Sequence, residues 1–591
     1  FLSRAKEGMK GEVDWNFHET RLFPFRVNFR DAGAADFPGL DFIIFPDAAL
    51  IMANICLIQP PIEDFYATNI RNIPLGLLHI GAILKKHDLR LLDLRQGKPR
   101  KIPFPGELQA VAKYYRPEDA SPFSLYKSYS RFGPNINQIA DLIPAEADVF
   151  LIAALFSTYI HEVLEIIPLI RQKNHRATII IGGPGTYFNP DTLFDAGADF
   201  VILGEGELAV PKLLDELEKA KPNLAAVSNL VWRSDGDIKQ NPVEIITNVN
   251  ELPFADYDIP GTPKYTLSGK RHAMIMASRG CPHRCKFCSI HQTFGIKYRL
   301  RSVENVLSEM EDKIKKGFRS FDFEDDHFGG NKRWLHYLLN GIIERFSDYD
   351  LSLQAMNGIT VTNLDAEVLQ KMKRAGFSSI NLSLVTPDRQ KQQALSRPFD
   401  TAAFTKVVQT AQQIGLTVTA YLIIGLPGDT VEDNLQSILF LASLPCLIGP
   451  SLFYLVPGTP IFDELAAKGQ IPDSELCYRS SFFPYTRQDY SRESAMTLFR
   501  ICRIINFLKA AKDYNYQPAE YNIEKNSIII PPELNGKQSQ ITLGFALLEL
   551  LKKTGKLYGT GKKKGNRYPL TVERCDSMLM EMFFKKIFES A

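Results

Sequence analysis

The chain has 591 residues, too many for one hydrophobic core, so about two to four domains are expected. Its 45% hydrophobic and 23% charged residues are ordinary for a globular protein, and a formal net charge of +2 carries no global signature of nucleic-acid or membrane binding. Eight cysteines in this length are too sparse for a disulfide framework.

Residues 1–51 show no clear period and read as an N-terminal adjunct, and no secretory signal is visible in the mixed, charged residues 1–30. The apolar stretch 37–58 is interrupted by Asp41, Pro46 and Asp47. It falls short of the roughly 20 nearly uninterrupted apolar residues of a membrane span, so no span and a cytoplasmic location are expected. Over residues 52–245, short apolar or β-branched runs at 55–58, 89–94, 149–154, 178–181 and 200–203 alternate with helical patterns at 75–86, 159–172 and 207–220. Such alternation predicts an α/β doubly wound parallel sheet of Rossmann type, closed by a hairpin near 229–237. Ligands of such sheets lie beyond the carboxyl ends of the strands. The loops there carry Ser157, Gly182-Gly183 and Gly204-Glu205-Gly206-Glu207. The glycines read equally well as a rim for a large flat ligand or as tight strand–helix turns. His79 falls inside an apolar helix and reads as a core histidine.

A linker is expected over 246–270. A second alternating series over 271–465 places strands near 273–277, 320–323, 351–356, 379–384, 418–424 and 451–455, with helices such as 303–315 and 365–375 between them. Six such units predict a partial (β/α)6 barrel rather than the full eight-stranded one. Residues 466–591 read as a mainly helical C-terminal region, clearest at 494–512, and no solenoid repeat is present.

The first barrel strand runs into Ser278-Arg279-Gly280-Cys281-Pro282-His283-Arg284-Cys285-Lys286-Phe287-Cys288. Three thiolates in one short loop can cap three irons of a cubane cluster and leave the fourth open for catalysis. Zinc is the rival reading, with His283 or His291 as fourth ligand. Cys446, Cys477, Cys502 and Cys575 have no ligand spacing and read as buried thiols. Lys562-Lys563-Lys564 with Arg567 reads as a solvated loop.

In its CxxxCxxC spacing, with Phe287 before the last cysteine, the loop resembles that of the radical S-adenosylmethionine (SAM) superfamily. The resemblance implies a 4Fe–4S cluster on Cys281, Cys285 and Cys288. Its open iron would bind SAM, which one-electron reduction cleaves to a 5′-deoxyadenosyl radical and methionine. It implies an electron donor such as flavodoxin or ferredoxin. Glu324-Asp325-Asp326 ends the second barrel strand, where the family faces the methionine amine, and carboxylates there can accept from an ammonium. Ser383, Arg397 and Gly425 match segments around the nucleoside, although strand four lacks the acidic residue many relatives carry near the ribose.

Sheet first and barrel second resembles the branch that joins a cobalamin-binding domain to the barrel. The resemblance implies cobalamin, with Ser157, Gly182, Gly183, Gly204 and Gly206 along its nucleotide tail. The DxHxxG histidine that would ligate cobalt from below is absent; the loop reads Pro61-Ile62-Glu63-Asp64-Phe65-Tyr66. The expected activity is methylation of an unactivated carbon of a small molecule, lipid or peptide. Other radical outcomes (ring closure or carbon–carbon coupling), tRNA methylthiolation and a non-enzymatic corrinoid carrier are the alternatives. Methylthiolation would ask for three more cluster cysteines in the first domain, where only Cys56 occurs.

Overall fold

The computed structural model describes residues 52–66, 72–187, 190–397, 399–514, 519–522 and 526–588; the adjunct expected over 1–51 lies outside the described residues. The first sheet contains β1 (Asn54–Gln59), β2 (Asp88–Asp93), β3 (Val149–Ala153), β4 (Thr178–Gly182), β5 (Phe200–Ile202), β6 (Leu230–Ser234) and β7 (Asp237–Gln240). Their order is β7-β6-β5-β4-β3-β1-β2, parallel from β5 to β2, with β6 and β7 an antiparallel hairpin at the far edge. Strand order reverses between β1 and β3, which opens the crevice of a doubly wound sheet.

Both faces are covered, so β1 is apolar almost throughout: Ile55 and Leu57 enter one core, Cys56 and Ile58 the other. The helices Leu75–Ile83 and Gly206–Leu217 bury Leu78 and Leu213 on the first face; Ile160–Lys173 buries Ile166 and Ile167 on the second. Between β2 and β3 the chain departs into an insertion whose small antiparallel sheet joins Ile62–Asp64, Ser130–Phe132 and Arg100–Lys101. Phe65 packs there against Phe104, Tyr115, Tyr126 and Tyr129.

The barrel strands are β8 (Lys270–Ile275), β9 (Ser320–Phe323), β10 (Ser352–Gln354), β11 (Ser379–Val385), β12 (Thr417–Ile424) and β13 (Leu447–Leu452). They run parallel in chain order as two three-strand arcs, met by a bridge from Leu353 to Phe377. β13 starts earlier than the sequence suggests because Gly449-Pro450 reads as a break. β13 pairs only with β12 among the described strands, and an edge strand tolerates proline.

The C-terminal region is helical over Arg492–Ala511, Gly536–Thr554 and Ser577–Phe588. It also carries an antiparallel sheet of Glu520–Asn522, Ser527–Ile529, Arg567–Val572 and Tyr558–Thr560, whose short strands leave little periodic signal. Asn506 docks the helix Arg492–Ala511 on β13, accepting from Ile448 N and donating to Ile448 O at 2.8 Å each. Among the described residues no helix is long and apolar enough to cross a membrane.

Candidate active site

β8 leads into Ser278–Arg279, which pairs with Arg299–Leu300 and frames the cysteine loop at the barrel mouth. Gly280 has φ +78°, and a Cβ there would stand 2.6 Å from Lys297 O, so only glycine fits the turn into Cys281. Cys281 and Cys285 are buried, Cys288 is half-buried, and all three are free thiols. The loop is pinned by Cys288 N donating to Cys285 O (3.1 Å), Lys286 N to Leu395 O (3.1 Å) and Ile461 N to Lys286 O (3.2 Å).

Burial pushes the Cys281 thiol up and that of Cys288 up to about 11. Such thiols become thiolates at neutral pH when a metal supplies the opposing charge, which suits a cluster ligand. Among the described residues no three Cys, His, Asp or Glu side chains converge on one point. A cubane asks for less, because each thiolate caps a different iron.

The acidic run after β9 does not act as one set. Asp325 is fully buried, accepting from Ala277 N (3.1 Å) and from the Ser278 hydroxyl. Asp326 accepts from Gly280 N at 3.2 Å. Burial pushes both carboxyls up to about 7. The expectation that all three carboxylates face an ammonium is therefore corrected: Asp325 and Asp326 brace the entry to the cysteine loop. Glu324, the first member of the run, is half-buried.

β11 bulges between Ser383 and Val385, and Val385 adopts φ +65°. Arg397 reaches back to Ser383 O (3.4 Å) and stands 3.9 Å from Cys285 Sγ, with its Nε buried and unpartnered among the described residues. An orphaned guanidinium donor beside the cysteine loop fits the carboxylate of SAM. Gly425 N donates to Asn434 Oδ1 (2.9 Å), which also accepts from the Tyr490 hydroxyl (2.5 Å); a Cβ on Gly425 would meet the Tyr490 ring at 3.6 Å. Ser383, Arg397 and Gly425 thus lie at barrel-strand exits.

On the sheet, Ser157 is half-buried just beyond β3, beside the switch point. A Cβ on Gly182 would meet only Ile202, at 3.8 Å. Gly183 differs: with φ +116°, its Cβ would stand 2.6 Å from Ala154 O. A Cβ on Gly204 would meet Val243 at 3.2 Å and Thr293 O at 3.3 Å, and one on Gly206 would meet Ile80 at 3.1 Å. Protein occupies the space that side chains on Gly183, Gly204 and Gly206 would need, so the fold itself asks for glycine at these three positions. Ser157 and Gly182 remain open to a ligand. His79 is buried with Nδ1 3.3 Å from Pro253 O, and burial lowers its pKa to about 4, as befits a core histidine.

Residues 275–441 match the Radical SAM superfamily, and residues 131–214 match the B12 binding domain. The chain carries both domains of the cobalamin-dependent radical SAM enzymes. It is 26% identical to an uncharacterised methyltransferase of Pyrococcus horikoshii over 66% of this chain and 78% of the relative. It is 23% identical to the cytidylyl-2-hydroxyethylphosphonate methyltransferase of Streptomyces wedmorensis over 69% of this chain and 80% of the relative. Its fold is similar to that of the radical SAM methyltransferase TsrM of Kitasatospora setae, with TM-score 0.55 and 15% identity over 74% of this chain and 84% of the other. The cofactors of such enzymes are a 4Fe–4S cluster, SAM and cobalamin.

In this radical SAM enzyme the loop Gly204–Glu207 has a role that sequence reading missed. Buried Glu205 accepts from Arg279 Nη1 (2.8 Å), Arg299 Nη1 (2.7 Å) and Ile246 N (2.7 Å), while Glu207 accepts from Arg279 Nη2 (2.5 Å). The carboxyl rim of the cobalamin-type sheet is thereby tied to the two strands that frame the cluster loop. The Gly-Glu-Gly-Glu run and the arginine ahead of the first cysteine were visible signals, but nothing local pairs them.

Proposed function

We propose that the protein is a cobalamin-dependent radical SAM methyltransferase acting on an unactivated carbon. The observation that carries the reading is the Arg279–Glu205 tie, which sets the open rim at Ser157 and Gly182 and the cysteine loop into one buried assembly. The methyltransferase names of both curated relatives support it. Residues 52–245 serve as the cobalamin unit and 271–465 as the radical unit, joined through 246–270, with 466–591 as the outer wall. Cys281, Cys285 and Cys288 hold the cluster, Glu324 and Arg397 hold the amine and carboxylate of SAM, and Ser383 and Gly425 border its nucleoside. When bound, the cluster supplies the electron that cleaves SAM to the radical, and cobalamin carries the methyl group.

The chain's own task is orientation and exclusion of water. Asp325 and Asp326 fix the loop backbone, and the C-terminal helix Arg492–Ala511 closes one side of the barrel. A methylthiotransferase-type second cluster lacks support, because Cys56 is buried inside β1 with its thiol pushed up to about 12. A cytoplasmic site of action and a flavodoxin or ferredoxin donor complete the reading.

The test is to incubate reconstituted protein, reductant and trideuteromethyl-SAM with extract of cells lacking the protein. The expected result is a product carrying the intact labelled methyl group. 5′-Deoxyadenosine with an unlabelled, ring-closed product would replace methylation by cyclisation.

A further inference from the structure

Arg503 lies on the helix Arg492–Ala511 and is half-buried. Among the described residues it makes no hydrogen bond or ion pair; its guanidinium lies over the Phe499 ring, 5.0 Å from the centroid. The charged groups facing it are otherwise engaged. Neighbouring Arg500 pairs with Glu573 at 3.2 Å, and Glu573 also takes Arg116. Asp119 Oδ1 accepts from Ser121 N (2.9 Å) and Thr560 N (3.1 Å). The remaining neighbours are aromatic. Tyr126 sits 5.8 Å from Phe499 and 5.4 Å from Tyr115, and stacks on Tyr66 at 5.0 Å with the ring planes 10° apart. Tyr66 is 42% exposed, which opens the stack to solvent at one end.

An arginine stays charged at any working pH, and withdrawing its charge from water without a counter-ion opposes folding. A bound anion would offset that loss through a bidentate contact. The place suits a substrate. Tyr66 sits on the loop that leaves β1 at the carboxyl rim of the cobalamin-type sheet, and Arg503 sits on the helix that Asn506 docks on β13 of the barrel. We propose that Arg503, walled by Tyr115, Tyr126 and Phe499, binds an anionic group of the substrate, a carboxylate or a phosphate, whose adjoining body lies toward the exposed Tyr66 stacked on Tyr126. This rests on the methyltransferase reading and narrows its substrate class to acids with an apolar or flat body.

The experiment measures thermal melting of the reconstituted full chain, wild type and Arg503→Met, in an anion-poor buffer and then with inorganic phosphate or benzoate. Wild type should melt higher as the logarithm of one anion's concentration rises, and Arg503→Met should lose that dependence. Arg503→Met should also melt higher than wild type without anion, because an unpaired charge has gone. A benzoate effect alone assigns a carboxylate and a phosphate effect alone a phosphoryl group. A lower melting temperature for Arg503→Met without anion would show a structural role and overturn the proposal, as would an anion effect that survives the substitution or no effect of either anion. 5′-Deoxyadenosine formation by wild type, measured in the same preparation, separates the two claims: its absence counts against the functional reading, and a lost anion effect in its presence counts against the Arg503 site alone.

Discussion

Arg279 Nη1 and Glu205 Oε1 stand 2.8 Å apart, joining the residue two places before Cys281 to the exit loop of β5. Both side chains are buried, and Glu205 also holds Arg299 at 2.7 Å. Glu205→Gln would leave two buried guanidinia short of counter-charge. Breaking such a pair costs about 3–5 kcal/mol. The variant should lose iron faster to a chelator and exchange amide hydrogens faster at 275–281. Wild-type chelation and exchange rates would show that the tie does not hold the loop.

The split within the acidic run predicts two different failures. Glu324→Gln should weaken SAM binding by roughly ten- to hundredfold, the worth of a charge-assisted hydrogen bond, and leave the cluster absorption intact. Asp325→Asn should lower cluster content instead, since an amide cannot accept from both Ala277 N and the Ser278 hydroxyl as the carboxylate does. Iron analysis beside a SAM titration checks both, and equal behaviour of the two variants contradicts the split.

Gly182 and Gly183 should separate in the same way. Gly182→Leu should abolish binding of hydroxocobalamin while the melting temperature holds, because only Ile202 lies near its Cβ. Gly183→Leu should compromise the sheet itself, with its Cβ driven onto Ala154 O in a left-handed backbone. In wild type the cob(II)alamin paramagnetic resonance signal should lack splitting by a nitrogen below cobalt, since His79 is held against Pro253. Splitting that vanishes in His79→Ala would contradict that placement.

Glu162 supplies a pH dependence. It is buried, accepts from Glu63 N at 2.6 Å, and burial raises its carboxyl from 4.5 to about 8. Both folded and unfolded states are protonated below 4.5. Between 4.5 and 8 the unfolded chain loses its proton while the folded one keeps it, so stability falls as pH rises, by up to ~5 kcal/mol. Glu162→Gln does not titrate. Its melting temperature should gain on wild type from pH 5 to pH 8, and a constant difference would place the Glu162 carboxyl in water.

The cysteine spacing and the strand alternation were legible because each is local, written in a few consecutive residues. What stayed hidden depends on distant partners. Glu205 lies far from Arg279 in sequence, and neither betrays the other. Asp325 looks like Glu324 until Ala277 and Ser278 are folded beside it. Gly182 and Gly183 are adjacent and of the same residue type, and only the approach of Ala154 O distinguishes their roles. The fold of β13 was blurred by Gly449-Pro450, and the small C-terminal sheet by strands too short to show a period.

The central claim is that one chain uses SAM both as radical source and as methyl donor through cobalamin. Its most direct test is the yield of S-adenosylhomocysteine beside 5′-deoxyadenosine, from anaerobically reconstituted protein with reductant and SAM, with and without hydroxocobalamin. The account predicts 5′-deoxyadenosine in both cases, S-adenosylhomocysteine only with cobalamin, and no 5′-deoxyadenosine when Cys281, Cys285 and Cys288 are all alanine. S-adenosylhomocysteine formed equally without cobalamin, or not at all with cobalamin bound, would contradict it.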